Sequence, residues 1–179
     1  MPASVDKYVL PITFQSFTKK NVEQLMVLNS VIFPIKYPAK VYEDCLIYTD
    51  LTQGAFCNDV LVGAIAVRLE QQPGGKVQLY IITLGVLAAY RNYGVGSRLL
   101  EQTLQRAADD PVIEEAVLHV QTNNEEAIHF YAKFGFAVSQ TIPDYYKKNR
   151  LNPPDAHVLT RALRLHDQAV MQGLQGTDQ

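Results

Sequence analysis

Apolar positions along this chain recur with two periods, and the switches between them predict the order of its elements. Alternating apolar and polar residues with Val, Ile, Thr and Phe run from Tyr8 to Phe17 and predict a strand. Val22, Leu25, Met26, Leu28 and Asn29 fall at helical spacing within Asn21 to Ile32, with Thr18 as the cap and Pro34 as the stop. Phe33 to Pro38 is an apolar loop stiffened by two prolines. A second short helix is expected from Ala39 to Tyr48. Strands Gly54 to Asn58 and Val60 to Gln71 are joined by a turn at Asn58-Asp59. Pro73-Gly74-Gly75 then turns the chain into a strand from Lys76 to Leu87. A helix from Gly94 to Ala108, a strand from Ala116 to Gln121, a helix from Asn124 to Phe134 and a strand from Phe136 to Thr141 follow. A polar loop with Pro143, Pro153 and Pro154 precedes a final strand, Ala156 to Leu163.

Antiparallel strands come first, then a strand–helix–strand crossover, then more strands. That order predicts an α/β fold with a mixed sheet rather than a doubly wound one. No repeat or linker divides the chain, so one domain is expected over 1–165, with a flexible, Gln- and Asp-rich tail over 166–179. A length of 179 residues, 47% of them hydrophobic and 19% charged, suits one globular domain with a substantial core. A net charge of −2 supplies no basic field for nucleic acid or an anionic membrane. No apolar run is long enough to span a bilayer, and no secretory leader is visible. Cys45 and Cys57 are the only cysteines; read as reduced and structural, they suit a cytoplasmic or nuclear location. The scattered histidines support no metal site.

Candidate chemistry begins at Arg91-Asn92-Tyr93-Gly94-Val95-Gly96-Ser97, between an apolar strand and a helix. Free N–H groups at a helix N-terminus, unobstructed by side chains, attract phosphates. The run lacks the Lys-Ser/Thr of a P-loop, and Leu99 stands where a dinucleotide fingerprint needs Gly or Ala. A second segment, Asn123 to Phe136, carries Asn as a cap, an apolar face of Ala127, Phe130, Tyr131 and Phe134, and Gly135 as a stop.

Together, in this order, the two segments resemble the acetyl-coenzyme-A motifs of the GNAT (Gcn5-related N-acetyltransferase) superfamily. The resemblance implies a GNAT fold flanked by helices, with the central sheet splayed between the fourth and fifth strands. It also implies acetyl-CoA as cosubstrate, its pantetheine arm lying in the gap against the main chain of Leu84, Gly85 and Val86. The pyrophosphate would meet N–H groups from Asn92 to Ser97, with Arg91 adding charge. Asn124 and Tyr131, two helical turns apart, would meet the arm and the thiol leaving group. The reaction needs a neutral amine, and an α-amino group with a pKa near ~8 is partly protonated at neutral pH. Tyr80 and His119, on the two strands beside the gap, are the candidate bases.

Phe33-Pro34-Ile35-Lys36-Tyr37, Leu79 to Gly85, Leu118 to Gln121, Tyr145-Tyr146-Lys147 and Asp155 to Leu159 together resemble the NatE-type (San-type) branch of N-terminal acetyltransferases. That resemblance implies acetylation of nascent or mature protein N-termini that keep Met before an apolar residue, and association with the NatA catalytic and auxiliary subunits. It implies that Tyr80 and His119 hold a water that deprotonates the amine. Phe33, Pro34, Ile35 and Tyr37 would line the Met pocket, and Tyr145 and Tyr146 would bind the peptide main chain. Asn92 replaces a second basic residue usual in that branch, Ile35 is bulkier than the usual Val, and the loop Lys147 to Pro154, with Lys148-Asn149-Arg150, is slightly longer. Two alternatives stay open at this level: acetylation of lysine or a small amine, and a mainly non-catalytic role within a larger acetyltransferase complex.

Overall fold

Seven strands, β1 (Ile12–Ser16), β2 (Gln53–Cys57), β3 (Val60–Gln71), β4 (Val77–Val86), β5 (Ile113–Gln121), β6 (Ala137–Ile142) and β7 (Ala156–Ala162), join edge to edge in the order β1-β2-β3-β4-β5-β7-β6. The structure is a computed structural model and describes residues 9–163. Tyr8 and the expected tail over 166–179 lie outside the described residues. Four helices flank the sheet: α1 (Val22–Ile32), α2 (Ala39–Ile47), α3 (Val95–Asp109) and α4 (Glu125–Ala132). Only β4 and β5 run parallel, and α3 is the crossover between them.

The β4–β5 ladder is short. It runs from Val77↔Ile113 to Tyr80↔Val117 and stops there. Beyond that point β4 stays bound to β3 as far as Val86↔Gly63, and β5 to β7 as far as Gln121↔Ala156. Each half of the sheet is therefore secured on its outer side, and the two halves part along their inner edges. A bulge helps. Ile81 faces Val67 and Thr83 faces Ala66, so Ile82 is an extra residue on β4 just past the last paired position. Bulges bend a strand and raise its twist.

Two cores hold the sheet. On one face Leu79, Ile81, Leu99, Leu100, Leu104, Ile113 and Leu118 pack with α3 and α4. On the other, Phe17, Leu25, Leu28, Cys45, Phe56 and Leu61 pack with α1 and α2. Both cysteines are free and buried, and burial pushes the Cys45 thiol up to about 12.

Several boundaries differ from expectation. β1 is shorter than Tyr8 to Phe17, because only Ile12–Ser16 find partners on β2. Thr18 does not cap α1. Its hydroxyl accepts from the Lys20 N–H, and its own N–H donates to Asn21 Oδ1. β5 begins at Ile113 rather than Ala116; Glu114 and Glu115 disguise that start, yet Lys76 pairs with Glu114 and the Gln78 amide donates to Glu115. α3 starts at Val95 after an αL Gly94, and α4 ends at Ala132, short of Phe134.

Leu79, fully buried, sits at the penultimate rung of the β4–β5 ladder. Leu79→Ala is expected to destabilise the fold by about 2–5 kcal/mol, read by urea denaturation.

Candidate active site

At the last rung of the parallel ladder Tyr80 projects to the face where His119 lies, two residues further along β5. The Tyr80 hydroxyl is 2.8 Å from His119 Nδ1. Here the pair touches directly. The His119 ring stacks flat on Tyr145, with centroids 4.5 Å apart and planes 5° from parallel. Tyr146 meets Tyr145 edge-on at 4.8 Å. One loop between β6 and β7 thus covers the imidazole. That loop is tied down where Tyr146 N–H donates to the Pro154 carbonyl, and where the Gln121 amide donates to the Pro153 carbonyl at 2.7 Å.

Two residues that the sequence reading missed complete the cluster. The Arg68 guanidinium lies 4.6 Å from the Tyr80 ring centroid, and Glu70 holds it through a 2.7 Å bond to Nε. Arg68 is the register partner of Tyr80 on β3. The signal was present: two charges, two residues apart, end a strand that is otherwise apolar.

These surroundings set the protonation states. Burial raises the Tyr80 pKa, and neighbouring Tyr145 adds to the rise, so the side chain stays a phenol. Burial also lowers His119; Glu70 works against that shift and Arg68 reinforces it. The imidazole is neutral at neutral pH.

The first arm, Phe33 to Tyr37, faces this cluster. Phe33 and Tyr37 pack edge-to-face at 5.8 Å. A Cβ on Gly85 would come within 2.9 Å of the Phe33 ring, so the arm lies directly on the β4 main chain. The Tyr37 hydroxyl is pushed up to about 12 by burial and then by Tyr146. Burial likewise takes Tyr146 up to about 12. Ile35 is half-buried, and Pro34 is exposed.

The gap has defined edges. Leu87 N–H donates to Val62, so by strand alternation the Gly85 main chain also faces β3 while Leu84 and Val86 face the gap. This corrects the expectation for Gly85: it contributes closeness, not hydrogen bonds. Thr122 N–H donates to Asp155 across β5–β7, which turns the His119 and Gln121 main chains toward the gap. Arg91 is also placed differently than expected. Its Nε donates to the Val86 carbonyl at 3.0 Å and clips the end of β4.

In the glycine loop Asn92 takes φ 64 and Gly94 φ 76. Asn tolerates this left-handed region, which explains its presence where a second cation was expected. The N–H groups of Asn92, Tyr93 and Gly94 find no acceptor among the described residues, and those of Val95, Gly96 and Ser97 open α3 without intrahelical partners. The Val95 side chain is core, and the Tyr93 ring is exposed. Asn124 spends its Oδ1 capping α4 through the Ala127 N–H at 3.1 Å, leaving its amide NH2 exposed. Tyr131 is buried among Phe130 and Phe136, which holds its pKa well up, and its hydroxyl makes no hydrogen bond among the described residues. A gap with unpaired strand edges, leading to a cradle of free N–H groups, fits a long amide-bearing arm ending in phosphates. Among the described residues, no three His, Cys, Asp or Glu side chains gather to hold a metal ion.

A profile of the Acetyltransferase (GNAT) family matches residues 22–136, from the start of α1 to the residue before β6. The chain belongs to the GNAT acetyltransferase family. As a GNAT acetyltransferase it is an acyltransferase that takes acetyl-CoA as cosubstrate. It is 45% identical over 147 residues to N-alpha-acetyltransferase 50 of Danio rerio, spanning 82% of this chain and 86% of that one. It is 43% identical to the probable N-acetyltransferase san of Drosophila melanogaster, spanning 82% and 78%. Its fold superposes with a TM-score of 0.78 on Arabidopsis thaliana Naa50 in complex with the bisubstrate analogue CoA-Ac-MVNAL, at 44% identity over 84% of this chain and 97% of that one.

Because the fold disfavours imidazolium at position 119, stability is full above the ordinary imidazole pKa near ~6.5 and is lost as pH falls through the lowered folded value. An NMR titration of His119 is expected to give a midpoint below ~6.5. Glu70→Gln, which removes the carboxylate that favours the charged ring, should move it lower still.

Proposed function

We propose that this acetyltransferase modifies the α-amino group of protein N-termini that begin with Met followed by an apolar residue. The observation that carries the reading is the Tyr80–His119 bond at the point where the sheet opens, with aromatic arms on both sides of it. Support also comes from the relatives: two are named as N-acetyltransferases, and the Arabidopsis structure holds an analogue whose peptide begins Met-Val.

Acetyl-CoA supplies an acetyl group activated as a thioester. The protein supplies position and proton traffic. Leu84 and Val86 on one edge, and His119 and Gln121 on the other, offer main-chain groups to the arm. N–H groups from Asn92 to Ser97 receive the phosphates, with the free amines of the Arg91 guanidinium nearby. The α-amine arrives at Tyr80 from between the two arms. The Tyr80 hydroxyl donates to His119 Nδ1, which leaves a lone pair on its oxygen to accept the amine proton, directly or through a water. As that proton arrives, the phenolic proton passes to His119. The pair acts as one titrating unit, and burial keeps Tyr80 from ionising on its own. Tyr131, held as a phenol, donates a hydrogen bond toward the leaving sulfur.

On the acceptor side Phe33, Pro34, Ile35 and Tyr37 form an apolar wall suited to a flexible, polarizable thioether. Tyr145 and Tyr146 offer hydroxyls to the peptide main chain. A cytoplasmic location, also nuclear, is part of the same proposal and is supported by the two free, buried cysteines. Association with the NatA catalytic and auxiliary subunits rests on the branch resemblance alone, and co-purification tests it.

With acetyl-CoA and short peptides, the full chain is expected to acetylate a Met-Leu peptide about 10- to 100-fold better in kcat/KM than its Ser-Leu counterpart, the worth of burying the Met side chain. Equal rates on both would overturn the Met reading. Tyr80→Phe and His119→Ala should each lower kcat by about 100-fold or more. The KM for acetyl-CoA should stay put, because neither side chain reaches the phosphate cradle.

A further inference from the structure

We propose that the acceptor site carries a cationic outer rim that favours substrate chains with acidic residues beyond the apolar second position. The proposal rests on the peptide N-terminus reading above and deepens it. Each aromatic arm bears exposed cations next to its tyrosines. Lys36 precedes Tyr37 on one arm; Lys148 and Arg150 follow Tyr145-Tyr146 on the other. Lys147 does not count, because Asp144 neutralises it at 3.2 Å. Lys36, Lys148 and Arg150 form no ion pair among the described residues.

Against Asp144 and Asp155 the second arm sets three cations, Lys147, Lys148 and Arg150. Asp144 pairs with Lys147, and the Asp155 carboxylate accepts from the Asp144 N–H at 2.8 Å. The chain as a whole carries −2, whereas Lys36, Lys148 and Arg150 give the arms an excess of positive charge.

The rim is also held in place. Lys147–Asn149 form a 3-10 turn that Arg150 closes with φ 57. Its base is fixed by the Tyr146 N–H bond to Pro154 and the Gln121 bond to Pro153. The two arms flank the fork: Phe33 lies against Gly85 of β4, and Tyr145 stacks on His119 of β5. An extended peptide advances about 3.3 Å per residue, so its third to fifth residues lie roughly 7 to 13 Å outward from a first residue held between the arms. Lys36, Lys148 and Arg150 follow or precede the arm tyrosines by a few residues, and a carboxylate within their reach would complement them.

The test uses the full chain, acetyl-CoA and three peptides that share Met-Leu-Gly and continue with Gly-Gly, Asp-Asp or Lys-Lys. The acidic peptide is expected to show kcat/KM about three- to tenfold above the neutral one, carried by KM, with the basic peptide below both. The difference should fade toward ~1 M salt, where the Debye length falls to about 3 Å. Lys36→Glu/Lys148→Glu/Arg150→Glu should reverse the ranking of the acidic and basic peptides. Equal kcat/KM for all three peptides, or an unchanged ranking in that variant, would overturn the rim. No acetylation of the neutral peptide would instead overturn the acceptor reading itself.

Discussion

The fold depends on a hydrogen-bond ladder that ends early. Between β4 and β5 pairing stops at Tyr80↔Val117, although both strands continue. Unpaired strand edges in the middle of a sheet are costly to leave dry, since each buried amide wants a partner. The protein tolerates them because β3 and β7 secure the outer sides. The bulge at Ile82 and the Arg91 clip on the Val86 carbonyl frame that opening.

The same geometry places the chemistry. Wherever two parallel strands part, side chains at the fork come from both halves of the sheet, and here they are a phenol and an imidazole. Neither is strongly basic alone, and burial pushes both toward their neutral forms. Tyr145 and Tyr146 close over this pair, and Glu70 fixes the Arg68 guanidinium on its flank.

Much of this was legible from residue order. Alternation marked the strands, Asn58-Asp59 marked a turn in which both residues take positive φ, and the glycine run marked the start of α3. What escaped depended on tertiary partners. Glu114 and Glu115 read as loop until Lys76 and Gln78 are placed opposite them. Gly85 read as a ligand to the cofactor arm because spacing alone does not say which way a main chain faces; the Leu87–Val62 bond does. Asn124 read as both cap and ligand, and the cap takes its oxygen. Arg68 and Glu70 were passed over because two charges at the end of a strand usually mean solvent.

The contact between Phe33 and Gly85 carries a consequence for how this enzyme diverges. The Phe33 ring occupies the volume in which residue 85 would hold a side chain. Enlarging one position demands shrinking the other. On the proposed reading of Phe33 as pocket wall, a lineage that reshapes that wall is drawn into altering β4 as well, so preference and turnover would drift as linked traits rather than as separate ones.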